Sequence, residues 1–252
     1  MEISRCGALM SVGGESGTMD PATWSEQLAA RASEEFENFS DFIWKAPRLV
    51  ETERESELAK LELYFPNDPE SRELRWKCES HKLDHVFPYL IAVGNLFALL
   101  SLFESYVLAL CIEVQSRTLV RLDSVRGMGI SRLLGFLRNA GIKLEDLRLH
   151  RQILAAIKIR NCLIHASGVL SWSHDNNDLR DLQRTGKYLS SEHQGVRTAQ
   201  GGEDVYLQPS PLGDRLIIRN DYCHILSSYL KRYFVALCES AGQVPVTTVR
   251  GD

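Results

Sequence analysis

The chain has 252 residues, 44% hydrophobic and 25% charged, with a formal net charge of -4. That length buries a core without a disulfide or metal staple, and the slight negative balance excludes a global pull toward polyanions, so any nucleic-acid contact must rest on local basic charge. The six cysteines, Cys6, Cys78, Cys111, Cys162, Cys223 and Cys238, form no C-x-x-C pair and fit a reducing, cytoplasmic setting.

Residues 1–20 are rich in Gly and Ser, lack the apolar core of a signal peptide and read as a disordered N-terminus. Trp24, Leu28, Phe36, Phe39 and Ile43 then recur at helical spacing, so 21–46 reads as an amphipathic helix that Pro47 interrupts. A charged helix follows from Arg48 to Tyr64, with ETERESE at 51–57 on a solvated face, and PNDPES at 66–71 turns the chain. Residues 21–70 are thus expected to form a helical N-terminal arm ahead of a helical domain over 71–245.

That domain opens with a short polar helix over 71–83, then a long apolar helix from Asp84, as its cap, to about Arg117. The long helix is uncharged from Val86 to Phe103 and again from Ser105 to Ile112, long enough to cross a bilayer. Glu104 in its middle, with Pro88, Gly94 and Asn95 in the run, favours the centre of a bundle or a dimer interface over a membrane span. A shorter helix near 130–140 ends at Gly141, and a strongly periodic one runs from Leu144 to about Ala166 with Leu147, Ile153, Leu154, Ile157, Leu163 and Ile164 toward the core.

Residues 173–204 are polar and aperiodic, which predicts a long surface loop. Val205–Gln208 and Arg215–Arg219, joined by PSPLGD, predict a β-hairpin. A closing helix from about Asp221 to Ser240 carries the apolar stripe Ile225, Leu226, Tyr229, Leu230, Phe234 and Leu237, with Asn220 or Asp221 as its cap. The fold class is all-α, a helical bundle with a small β-hairpin before the last helix.

No Gly-rich phosphate loop, H-E-x-x-H, G-x-S-x-G or cysteine-histidine zinc spacing occurs, which removes the common nucleotide, zinc-protease and hydrolase signatures and leaves no metal or cofactor expected. What remains is the polar cluster Lys158-Ile-Arg160-Asn161-Cys-Leu-Ile-His165-Ala-Ser-Gly168 at the end of the periodic helix. Asn161 and His165 are four apart and share a face, whereas Arg160 and His165 stand about 140° apart on an ideal helix. They can meet through the long arginine side chain, through distortion at the helix end, or across a dimer axis. A helix C-terminus favours positive charge, imidazole moves protons near neutral pH, and a guanidinium can hold a phosphate: together these suit transesterification of an RNA phosphodiester.

Arg75–His81 and Arg219–His224 have similar spacing, and Arg219-Asn220 repeats the Arg-Asn start. Arg160–His165 is preferred because it ends a core helix, while Arg75–His81 lies in a charged segment and Arg219–Asn220 serves as strand end and cap. His150, Arg151 and Lys158 offer local positive charge on the same helix, or simply a solvated basic face. Trp172, Tyr188 and Tyr206 could stack on exposed bases, but scattered aromatics near loops usually pack, and they are not counted as site residues.

The pattern Arg160-Asn161-x-x-x-His165 ends a helix, follows an apolar helix with an acid in FESYVLAL, and precedes Gly168, a hairpin and a final helix; over about residues 84–240 it resembles the HEPN superfamily. The resemblance implies a dimerising helical bundle and a metal-independent endoribonuclease of a toxin, phage-defence or RNA-processing system. By that resemblance Arg160 and His165 are the catalytic pair, Asn161 is their polar neighbour and Glu104 an acid supporting Arg160. It further implies RNA as substrate, a 2′,3′-cyclic phosphate product, a homodimer, and an antitoxin or activating protein as partner. Ser167 stands where HEPN proteins paired with small nucleotidyltransferases tend to carry Tyr. The alternative is a non-catalytic HEPN-like module that dimerises and binds a protein partner or nucleotide, and a third reading is a membrane-attached helical protein using residues 86–112.

Overall fold

In the computed structural model of the chain, residues 21–200 and 203–245 are described, and the expectation for 1–20 lies outside them. Helix α1 runs unbroken over Pro21–Tyr64 with Pro47 inside it, which corrects the expected break. Proline lacks the N–H that the Ile43 carbonyl would receive four residues earlier. The Asn220 side-chain amide donates to that carbonyl at 2.8 Å, and Asn220 accepts in turn from Asn95 Nδ2 at 2.8 Å. An orphaned acceptor supplied from another helix lets α1 continue. Ala32, Phe36 and Ile43 are buried in the same core as the later helices, so the first half of α1 belongs to the bundle instead of standing off as an arm; past Pro47, Leu49, Leu63 and Tyr64 are exposed.

Helix α2, Pro69–His81, is capped by Asp68, whose carboxylate accepts from the Ser71 N–H at 3.0 Å. It passes through one π turn, Lys82–Val86, straight into α3, Phe87–Arg117. Asp84 is therefore not a cap; it lies inside the π turn and pairs with Arg54 of α1. The Phe87 N–H reaches back to the Lys82 carbonyl, and this wider turn carries the helix past Pro88, which has no N–H to give.

Helix α3 is the spine of the bundle. Phe103 meets Tyr233 and Phe234 of α8, Asn220–Gly242, at ring distances of 6.1 and 6.4 Å, and Tyr106 meets Phe234 at 5.5 Å. On another face α4, Gly129–Asn139, approaches closely enough for the Cys111 thiol to reach the Leu133 carbonyl at 3.5 Å. Among the described residues Pro69–Arg117 is the one continuous helix long and apolar enough to cross a membrane, and 33% of its most apolar window is buried in the fold.

The predicted helix from Leu144 is divided. Leu144–Asp146 forms a single 3-10 turn, Leu149 adopts a left-handed φ of 72°, and α5 spans His150–His165. The break lets Leu144 and Leu149 both point into the core, whereas Leu154 and Ile164, expected there, are exposed. The region 173–204 is not one loop: it contains α6, Asn176–Thr185, and α7, Ser191–Gln200. In α6 only Leu179 and Leu182 pack against the core, too few apolar residues for a periodic signal. Strand β1, Val205–Gln208, pairs antiparallel with β2, Arg215–Ile218, from Val205 opposite Ile218 to Gln208 opposite Arg215. Asn220 is the first residue of α8 and not its cap, so its side chain is free for the bridge to α1.

Candidate active site

Helix α5 returns antiparallel to α3. At its start the His150 ring stacks on Tyr233 at 5.8 Å, and Tyr233 in turn meets Phe103; just past its end the Ser167 carbonyl accepts from Arg215, whose guanidinium lies 5.9 Å over the Tyr89 ring. Between these two points of α5 sits Arg160.

Arg160 is half-buried, and its Nη1 donates to Asn161 Oδ1 at 3.1 Å. The amide thereby aims the guanidinium without neutralising it, and Arg160 has no carboxylate partner among the described residues. His165 is the last residue of α5 and is exposed. The chain closes the helix with two bonds to one carbonyl: the N–H groups of Ala166 and Gly168 both meet the Cys162 oxygen at 3.0 Å. Ser167 and Gly168 take left-handed φ values of 50° and 79°. A side chain at Gly168 would place its Cβ 3.1 Å from the Leu216 carbonyl, so glycine here lets β2 lie against the loop behind His165.

The predicted site residues are only partly brought together. Arg160 and Asn161 are joined, but among the described residues no hydrogen bond links His165 to either. Glu104, half-buried on α3, makes no ion pair with Arg160 within the chain; its carboxylate faces the start of α4, where a Cβ built on Gly129 would stand 3.5 Å from Oε1. Cys162, between Asn161 and His165, is buried, and burial pushes its thiol above the ordinary cysteine range, away from nucleophilic use.

The helix is not a basic face. Lys158 is held by Asp175 at 3.4 Å and by Asp178, and His150 is buried with its Nδ1 2.7 Å from the Tyr233 hydroxyl, leaving Arg151 as the exposed cation. The competing matches have other work. His224 Nδ1 lies 3.1 Å from Ser40 Oγ with its ring 5.5 Å from Trp44, fixing α8 on α1, and the His81 ring meets that of His85 at 5.2 Å beside the π turn. Tyr188 is buried, Tyr206 lies under Arg219 at 5.4 Å, and Trp172 is exposed.

Arg215 is the residue that sequence reasoning missed. Its sequence neighbourhood is an ordinary strand start, and only the bridge between Val169 and Arg215 brings it behind His165. Among the described residues no three His, Cys, Asp or Glu side chains gather closely enough to hold a metal ion. Comparison of the chain with protein-family models, with curated proteins and with solved structures returns no match.

Proposed function

We propose that the chain is a HEPN-type, metal-independent endoribonuclease working as a cytoplasmic homodimer, in a toxin, phage-defence or RNA-processing role with an antitoxin or activating protein as partner. The observation that carries the reading is the end of α5. A half-buried guanidinium without a counter-ion among the described residues, aimed by Asn161, shares the last turns of a core helix with an exposed imidazole, while the rival His224 is engaged in packing. In this reading His165 takes the proton of the 2′-hydroxyl as its oxygen bonds to phosphorus, and Arg160 and Asn161 stabilise the charge gathering on the phosphorane. The bond to the 5′-oxygen breaks, so that the downstream strand leaves as a 5′-hydroxyl with that oxygen protonated and a 2′,3′-cyclic phosphate stays on the upstream strand.

The exposed side of α3 supports the homodimer. From Phe87 to Ile112 its exposed positions, Pro88 apart, recur at spacings of three or four, the stripe a second helix would cover. The stripe is self-complementary when two copies run antiparallel: Phe87 falls opposite Ile112, Leu90 opposite Leu108, Gly94 opposite Ser105, and Ala98 opposite Ser101. Large ends meet large ends and the small centre permits close approach, as a two-fold axis requires. An apolar groove lined by Leu49, Val50, Phe87, Leu90 and Ile91 lies where Ile112 of the second copy would enter. In that register Glu104 of one copy comes level with Asn95 of the other, and on this reading Glu104, which has no ion pair among the described residues, takes Arg160 of the second copy as its cation.

The test is cleavage of single-stranded RNA by wild type, Arg160→Ala and His165→Ala, with light scattering on the same samples. A folded dimer that cuts no RNA, alone or with an activating protein, would instead support a non-catalytic HEPN-like module that binds a protein partner or nucleotide.

A further inference from the structure

We infer that Arg215 is a second phosphate-binding residue of this site, taking the phosphodiester next to the one that is cut, and that Tyr89 is the positioning residue that holds it; the inference rests on the ribonuclease reading above. The backbone of β2 is stitched to the loop behind His165. Leu216 N–H donates to the Gly168 carbonyl at 2.8 Å, Leu170 N–H donates to the Asp214 carbonyl at 2.9 Å, and Val169 bridges Arg215 between them. Arg215 is thus fixed one strand spacing away from a loop that starts at His165.

Its side chain is held but not neutralised. Nη2 donates to the Ser167 carbonyl at 3.4 Å, a long bond, and the guanidinium carbon sits 5.9 Å from the centre of the Tyr89 ring. Nε is sealed from solvent and has no hydrogen-bond partner. The neighbouring hairpin arginine contact is different: Arg180 is paired with Asp214 at 2.7 Å. Arg215 has no such carboxylate among the described residues, although it is half-buried.

Burying a cation without a counter-charge costs free energy unless an anion arrives to share the site. A guanidinium whose Nη1 is unused and whose Nη2 makes one long bond, to the residue two past an exposed imidazole, is suited to a phosphate oxygen. An aromatic ring beneath it fixes the plane of the fork through a cation–π contact and keeps the side chain from wandering to Asp214. Arg160 and Arg215 then approach the end of α5 from two different elements, one serving the reacting phosphate and one its neighbour.

The experiment uses the full chain carrying His165→Ala, so that substrate survives, and a short fluorescein-labelled single-stranded RNA read by anisotropy over a range of salt. Adding Arg215→Gln is expected to weaken binding about tenfold and to lower the salt slope by about one phosphate contact. Tyr89→Leu is expected to do the same, while Tyr89→Phe, which keeps the ring, binds like the parent, and Arg215→Lys keeps the slope with weaker binding. In the active background Arg215→Gln should raise KM with little change in kcat. If RNA binds and is cut, yet Arg215→Gln leaves both affinity and salt slope unchanged, Arg215 is no phosphate site and the ribonuclease reading stands. If the parent chain binds no RNA, both fall together.

Discussion

Asn220 gives its amide proton to the Ile43 carbonyl, the one acceptor that Pro47 leaves without a helical donor. Together with the bond from Asn95 Nδ2 to Asn220 Oδ1, this ties α3, α8 and α1 at a single point. Asn220→Ala strands a carbonyl and an amide, and is expected to cost about 1–3 kcal/mol. In a chain of this size that is a fall in Tm of about 2–4 °C per kcal/mol. In the Pro47→Ala background the new N–H at 47 meets Ile43 itself, so Asn220→Ala should cost less there. Equal losses in the two backgrounds, measured by thermal denaturation, would show that the amide does not serve the proline.

For catalysis, Arg160→Ala and His165→Ala are each expected to lower RNA cleavage by about a hundredfold to ten-thousandfold. His165 is exposed, and the hydrogen bond of Arg160 goes to its own neighbour Asn161, so the variants should keep the wild-type melting curve. Chelator should leave cleavage unchanged. His224→Ala is the internal comparison: it loses the Ser40 contact and the ring contact with Trp44, so it should melt earlier yet still cut. An inactive His224→Ala beside an active His165→Ala would assign the chemistry to the other motif.

For the dimer, Ala98→Glu puts two charges across the axis where small side chains face one another, and light scattering should find a monomer at micromolar concentration. Glu104→Gln should weaken both dimer and cleavage, since it removes the acid proposed to meet Arg160 of the second copy. A wild-type chain that is monomeric at that concentration would remove the α3 stripe as an interface.

His150 supplies a pH dependence of stability. Burial, against a weaker opposing pull from Glu145, lowers its pKa below the ordinary histidine value of about 6.5. The fold holds it neutral beside Tyr233. The unfolded chain therefore binds the proton first: the contribution is complete above the unfolded pKa and is lost as pH falls from there through the lower folded value. His150→Gln should flatten the part of the Tm profile below about pH 6.5 relative to wild type. Parallel profiles for the two proteins would exclude His150 as the group responsible.

The hairpin, the closing helix and the helix ended by Gly141 were legible because each has a local code: alternation around a turn, a long apolar stripe, a glycine at a left-handed position. Helices α6 and α7 were not, because α6 sends only Leu179 and Leu182 to the core and α7, SEHQGVRTAQ, is mostly polar. Arg160, Asn161 and His165 could be named from spacing at a helix end, but Arg215 could not, since the loop that places it is paired across more than forty residues of chain.

Sequence by itself determined that this chain is helical, where its core stripes run, and which polar residues end α5, because side-chain period and helix-stop residues act over one or two turns. Tertiary structure decided whether Pro47 breaks α1, whether Asp84 or Asn220 caps a helix, and where Glu104 faces. Each of those outcomes depends on a partner far away in the chain: Asn220 for the Ile43 carbonyl, Arg54 for Asp84, and the start of α4 for Glu104. A backbone or side-chain polar group must be satisfied by whatever the fold brings to it, and local sequence does not say what that will be.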